Sequence, residues 1–258
     1  MNRKTVLVTG GAKGIGEEIS KEFARASYNV CINYNSSENE ARKLKELLIN
    51  EGFNVDIFKA NVSNRKNVDD MIDFCIKRFD SLDILINNAG ICEYKPFCDI
   101  QNEEIEKMIS INVVGTFNTT QSALNNYMLR KHSGTIINIS SIWGIVGASC
   151  EVNYSMSKAA IIGMSKALAK ELLGKWYTDL TAPGYTFGSY WNVFMAKATT
   201  GTSDQPAFDF DKKSVMHPAK HTMTQATDWA ACIMEIIMLG RNPYDFPRYE
   251  NGVLNEHY

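Results

Sequence analysis

The chain has 258 residues, 45% of them hydrophobic and 22% charged, with a formal net charge of -2 at pH 7. That length suits one large α/β domain or two small ones, and no proline/serine-rich linker or block of charge divides it, so a single domain over 1–258 is expected. The near-neutral balance leaves no electrostatic footprint for nucleic acid; without an 18-residue apolar run or a signal-like N-terminus, neither membrane insertion nor export is expected, and the protein is expected to be cytoplasmic.

Thr5 to Thr9 is a short, branched apolar run that predicts a strand over 5–9, and a helix is predicted over 15–27. Between them lie Gly10, Gly14 and Gly16. Glycines there let the backbone approach a pyrophosphate, and the helix N-terminus offers N–H groups and the positive end of its dipole. Taken alone, the spacing Gly-x-x-x-Gly-x-Gly also suits a plain strand-to-helix turn. A second strand, over 29–34, ends in Tyr34, Asn35 and Ser36, without the carboxylate that usually binds the ribose 2′-hydroxyl of NAD. A 2′-phosphate is therefore not repelled, and Ser36 or Ser37 offers a hydroxyl donor.

Helices over 37–51 and 65–79 flank a strand over 54–60. A strand over 82–87 leads into Asn87, Asn88, Ala89 and Gly90, and a helix is predicted over 101–130. The run from Gly134 to Ser141 reads as a buried strand over 134–140 that delivers Ser141 at its carboxyl end, ahead of a helix over 152–173. Such alternation implies an α/β, Rossmann-type doubly wound parallel sheet with helices on both faces. Ligands bind such sheets outside the carboxyl ends of the strands.

Tyr154 and Lys158 lie on that last helix at i and i+4, so they share one face. A free tyrosine titrates near pH 10 and is a poor acid or base at pH 7 until a neighbouring cation stabilises its phenolate. Lys158 is expected to be that cation. A second Tyr-x-x-x-Lys, Tyr127 with Lys131, falls in the helix before the Ser141 strand and reads as an ordinary surface or packing pair.

In order along the chain, Thr9-Gly10-x-x-x-Gly14-Ile15-Gly16, Asn87-Asn88-Ala89-Gly90, Asn112 within Ile-Asn-Val, Ser141, and Tyr154-x-x-x-Lys158 resemble the short-chain dehydrogenases/reductases. The run from Arg130 to Ser141 is most similar to the 3-oxoacyl-[acyl-carrier-protein] reductase branch, and the likeness decays beyond Gly174. The resemblance implies hydride transfer between a nicotinamide and a carbonyl carbon. Ser141 would bond the carbonyl oxygen, and Tyr154 would donate or accept its proton. Lys158 would hold the nicotinamide ribose, and Asn112 would position a water linking Lys158 to solvent. The implied cofactor residues are Gly10, Lys13, Gly14, Ile15, Gly16, Tyr34, Ser36, Asn61, Val62, Asn88, Ala89, Gly90, Tyr154, Lys158, Pro183, Gly184 and Thr186. Lys13 matches the basic position that contacts the 2′-phosphate in NADP-dependent relatives, so NADPH is expected rather than NADH. Asn61 stands where relatives carry an aspartate near adenine.

Departures concentrate in the last third. Thr178, Asp179 and Thr181 replace Val, Asn and Ile of the family's next strand, and Gly188 stands where relatives have a threonine on the carboxamide. Residues 185–225 correspond to a variable substrate loop rich in aromatics. A helix is predicted over 227–239, after which the family's last strand is not recognisable, Val253-Leu254 being a weak substitute. Relatives assemble through that strand, and a homotetramer or homodimer is expected, with the helices over 101–130 and 152–173 available to pair. The six cysteines form no metal-like pattern with the four histidines, so no metal is expected, and they read as reduced thiols. Two functions remain open: an NADPH-dependent ketone reductase, or a dinucleotide-binding sensor with weak catalysis. For the reductase, a small carbonyl or alcohol compound is implied, 3-oxoacyl thioesters first, with Arg130, Lys131 and Lys175 available to meet an acidic carrier protein.

Overall fold

Branched and apolar side chains place β1 (Thr5–Val8), β2 (Asn29–Tyr34), β4 (Ile84–Asn87) and β5 (Thr135–Ser140) in the interior, buried on both faces save at the first residue of β5, as strands of a covered parallel sheet must be. β3 (Val55–Lys59) lies towards the edge and is only partly buried. The computed structural model describes residues 3–141, 143–176, 193–195, 248–250 and 253–255. A three-residue strand, β6 (Val193–Met195), adds to β5. The order is β3-β2-β1-β4-β5-β6, with every neighbouring pair parallel. Since β2 and β4 flank β1, the chain reverses its direction of travel across the sheet at β1/β4, the switch point where open α/β sheets form a crevice.

Alternation along the strands divides the core in two. Val6, Val8, Val30, Ile32, Ile86 and Ile137 pack with α1 (Gly14–Arg25) and α2 (Glu38–Asn50). Leu7, Cys31, Leu85 and Ile136 face the other way, onto α3 (Arg65–Phe79) and the helical run 102–131. Local chemistry sets the helix ends. Asn64 caps α3, its side chain accepting the Asn67 N–H at 3.0 Å, and Asp80 ends it in the left-handed conformation at φ 61°.

The expected helix over 101–130 is interrupted. It runs as α4 (Asn102–Ile109), a π-helical turn (Ser110–Val114), α5 (Gly115–Ala123), a second π turn (Leu124–Met128) and α6 (Leu129–Lys131). After β5 come a single short turn, α7 (Trp143–Val146), and the long α8 (Val152–Trp176). Val253 and Leu254 belong to β8 (Val253–Asn255), which pairs antiparallel with β7 (Arg248–Glu250) in a separate ribbon rather than with the main sheet. β6 falls inside the segment expected to be a substrate loop. Trp176, expected to open the changed strand near 176–182, ends α8 instead; 177–182, the rest of 185–225 and the helix predicted over 227–239 lie outside the described residues.

Candidate active site

The glycine-rich turn joins β1 to α1 at the carboxyl edge of the sheet. Gly14 has φ +57°, and a Cβ there would meet nothing within 4 Å, so the position needs glycine for its backbone and leaves open space above it. At Gly16 a Cβ would lie 2.3 Å from the Gly10 carbonyl oxygen and 2.6 Å from Asn88 Nδ2. No side chain caps α1, whose N-cap residue is the exposed Lys13. Unclaimed N–H groups facing open space at a helix N-terminus fit a phosphate.

Three polar side chains peg this turn. Asn33 Oδ1 accepts the Gly10 N–H at 3.2 Å, while its Nδ2 donates to the Phe58 and Ala60 carbonyls at 3.3 and 3.0 Å. Asn88 Nδ2 donates to the Thr9 and Gly10 carbonyls at 3.0 and 3.1 Å, and Thr9 Oγ1 accepts the N–H groups of Asn88 and Ala89, both at 3.0 Å. The Asn88–Gly90 wall is thus tied to the cradle. Asn33 escaped the sequence reading because its partners are backbone atoms of remote segments.

Other expected cofactor residues separate. Ile15 is partly buried against the core, Val62 is buried, and Tyr34 is packed within the first core layer. Ser36 is exposed. Asn61 turns its Oδ1 onto Ser63 N and Oγ, at 3.0 and 2.9 Å, so its acceptor is spent locally. No acid ends β2, but Glu38, in the first turn of α2, bonds Arg42 and Lys59 close by. Pro183, Gly184, Thr186 and Gly188 lie outside the described residues.

The second half of the site stands at the carboxyl end of β5 and the start of α8. Ser141 is buried, and a hydrogen bond joins it to Tyr154. Lys158 is almost fully buried; its Nζ donates to the Ile139 carbonyl at 2.8 Å and stands 5.6 Å from the centroid of the Tyr154 ring. Asn112, in the first π turn, is buried; its Oδ1 accepts the Ile91 N–H at 2.8 Å and its Nδ2 lies 2.9 Å from the Ile91 carbonyl and 3.0 Å from Ser157 Oγ. Ser157 in turn donates to the Tyr154 carbonyl at 2.7 Å. Asn112 and Ser157 therefore lock the turn of α8 that carries Tyr154 to the wall after β4. The Cβ position of Gly90 is 3.3 Å from Asn112 Oδ1 and 3.7 Å from Lys158 Nζ, so wall and helix meet at one place.

Electrostatics correct one expectation. Burial drives the Tyr154 phenol up to about 12, with Cys92 and Glu151 pushing the same way and the Ser141 bond opposing. Burial also lowers Lys158 to about 8. The net shift of Tyr154 is therefore upward, opposite to the expected lowering, with burial its largest cause. Tyr154 is held as a protonated phenol, able to donate.

Tyr127 and Lys131 make the same contact, with Nζ 5.6 Å from the ring centroid, but Tyr127 Oη meets main chain near the start of β4, with the Asp80 carbonyl at 3.4 Å. That pair lies where the 102–131 run feeds β5, at the opposite edge of the sheet from Ser141. Arg130, bonded to the Asn126 carbonyl, lies there too. The carrier-facing patch expected from Arg130 and Lys131 therefore does not flank the site, and the side chain of Lys175 is outside the description.

The profile of the short chain dehydrogenase family matches residues 4–188. The 3-oxoacyl-[acyl-carrier-protein] reductase FabG of Staphylococcus aureus (strain Mu50) is 38% identical over 183 residues, 70% of this chain and 74% of that protein. An uncharacterized oxidoreductase, YmfI, of Bacillus subtilis (strain 168) is 35% identical over 204 residues, covering 78% of this chain and 83% of its own length. Among solved structures, a single-substitution variant of actinorhodin polyketide ketoreductase with NADPH superposes with a TM-score of 0.64 at 28% identity, over 66% of this chain and 65% of that one.

Proposed function

Because the chain belongs to the short-chain dehydrogenases, and so is an NAD(P)-dependent oxidoreductase, we propose that it reduces a ketone to a secondary alcohol with NADPH. The observation that carries this reading is Tyr154: a half-buried phenol, kept protonated, bonded to Ser141 and backed by a buried lysine at the carboxyl edge of the sheet.

When bound, the nicotinamide supplies the hydride. The chain's own residues do the rest. The start of α1, Gly14–Gly16, receives the pyrophosphate on its N–H groups, and Lys13, with no carboxylate at the end of β2, favours the 2′-phosphate of NADPH. Ser141 holds the carbonyl oxygen, and Tyr154 donates its proton as negative charge develops there; an alkoxide is a stronger base than a phenolate, so a tyrosine of raised pKa still transfers. Asn112 fixes Ile91 and, through Ser157, the turn that carries Tyr154. A 3-oxoacyl thioester, free or on an acyl carrier protein, is the leading substrate, supported by the reductases that the chain resembles. Self-association through the 102–131 run is supported by Val114 and Phe117, large apolar side chains left exposed on it.

The test is NADPH oxidation by the purified protein against 3-oxoacyl thioesters, small diketones, sugars and steroids. Turnover of a ketone is expected, with the thioesters best. Cofactor binding without reduction of any carbonyl would overturn the reductase reading in favour of a dinucleotide-binding sensor.

A further inference from the structure

Cys92 lies two residues beyond Gly90, on the loop that leaves the wall of the site. Its Sγ is 3.4 Å from Oε2 of Glu151, and burial with that carboxylate pushes the thiol up to about 11, so it stays a neutral partner. Glu151 immediately precedes α8, and its carbonyl accepts the Ser155 N–H at 2.8 Å, so the carboxylate sits one helical turn before Tyr154. The loop is clipped onto this turn, Lys95 N–H donating to the Cys150 carbonyl at 2.7 Å. One carboxylate thus faces Cys92, Tyr94 and Tyr154 together, opposing ionisation of all three. The two lysines that the described contacts bring to this rim are committed elsewhere: Lys95 to Glu104, at 2.7 Å, and Lys158 to the Ile139 carbonyl. Exposed apolar side chains follow on the same loop, Tyr94 at 75% and Phe97 at 69% exposure, and on α7, Ile145 and Val146.

We propose that Glu151, held by Cys92 at the mouth of the site, is a specificity-determining residue that disfavours substrates with negative charge near the reacting carbonyl and admits apolar, uncharged ketones, esters and thioesters. This rests on the reductase reading above and narrows its substrate class. An anionic group approaching Tyr154 on this side meets a carboxylate whose described partner is a thiol, and like charges repel there. An ester or thioester meets none of it and gains contact with the aromatic rim.

The test compares kcat/KM with NADPH for a 4-oxo acid and its ethyl ester, in the parent, Glu151→Gln and Glu151→Asp. The parent should favour the ester by roughly tenfold or more. Glu151→Gln should shrink that ratio towards unity, chiefly by lowering KM for the acid, while Glu151→Asp keeps a preference. Raising salt should shrink the parent's ratio and leave that of Glu151→Gln unmoved. A parent indifferent to charge, or a ratio that survives Glu151→Gln, overturns the proposal while the reductase reading stands. Failure to reduce either compound or any other ketone, with NADPH still bound, overturns the reductase reading and this inference with it.

Discussion

Tyr154 with Lys158 and Tyr127 with Lys131 have the same internal geometry, so what separates them is where the fold puts each pair. Tyr154→Phe should cut turnover by a factor of about 100 to 10,000 while leaving NADPH affinity intact, because it removes a proton donor and not the phosphate cradle. Tyr127→Phe should match the parent in steady-state assays; a swap of these two results would sink the assignment. Lys158 makes a second prediction at this scale, in stability. Its folded pKa, about 8, is below the 10.5 of an exposed lysine, so between those values the unfolded chain binds more protons and stability rises with pH. Below pH 8 the full cost of burying the charge is present, about 3 kcal/mol. Tyr154, raised from 10.0 to about 12, acts in the opposite sense, costing stability as pH climbs above 10. The cofactor-free protein should therefore become harder to unfold with urea between pH 8 and 10. Lys158→Met should lack this rise and be the more stable protein at pH 7, by up to about 3 kcal/mol less the bond to Ile139. A parent whose urea midpoint is flat across that window would show that the buried lysine is already neutral or better solvated than its geometry implies.

At the scale of elements, the π turn at Ser110–Val114 gives Asn112 its reach. One extra residue per turn widens the helix locally, and such turns gather at functional sites. Asn112 satisfies both backbone groups of Ile91, and Thr116 Oγ1 donates to its carbonyl at 2.8 Å. Asn112→Ala should leave Ile91 N–H and C=O unpaired and cost roughly 2–6 kcal/mol, about 1–3 kcal/mol for each stranded group. Thermal melts should show that loss, and hydrogen exchange should quicken at Ile91 while β1 and β2 stay protected; equal protection at Ile91 in both proteins would contradict the clip. The strands and longer helices of the first 176 residues were legible, because branched apolar runs and helical stripes repeat with the periods of those structures, whereas the single turn of α7 is too short to show a period. Motif glycines and the order Asn112, Ser141, Tyr154, Lys158 were legible too, since their types and spacing carry the chemistry. The π turns were not, for a change in hydrogen-bond register leaves the apolar stripe unchanged. Nor were Asn33, Ser157 and Glu151, whose partners come from segments far apart in sequence. The altered pKa balance was hidden for a related reason: i, i+4 spacing fixes that Lys158 and Tyr154 are neighbours, but only the burial and the Ile139 carbonyl decide what the ammonium faces.

Across the whole molecule, one half of the site, the glycine cradle, grows from β1 and α1, and the other from β5 and α8, with the Asn88–Gly90 wall of β4 between them. Strand order makes them neighbours, since β1, β4 and β5 are consecutive in the sheet although their residues are far apart in the chain. A dinucleotide lying across that edge would touch all three, and its binding free energy would add to the stability of the folded chain. NADPH at a hundred times its Kd should stabilise the fold by about 2.7 kcal/mol. At a matched concentration NADH should do less, because only NADPH offers a 2′-phosphate to Lys13, a charge-assisted contact worth about 1.5 to 3 kcal/mol. Lys13→Ala should then reduce NADPH affinity by roughly tenfold to a hundredfold, leave NADH affinity nearly unchanged, and bring the two thermal shifts together. Equal losses for both coenzymes would remove Lys13 from phosphate recognition, and hydrogen exchange supplies the spatial half of the test. Protection by NADPH should extend from 10–16 through 88–91 to the first turns of α8, because a cofactor that reaches Tyr154 must cross the wall tied to Thr9 at one end and Asn112 at the other. Protection confined to the cradle would mean that the phosphates bind while the reacting end stays away from Tyr154, and hydride transfer at that tyrosine would have no physical basis.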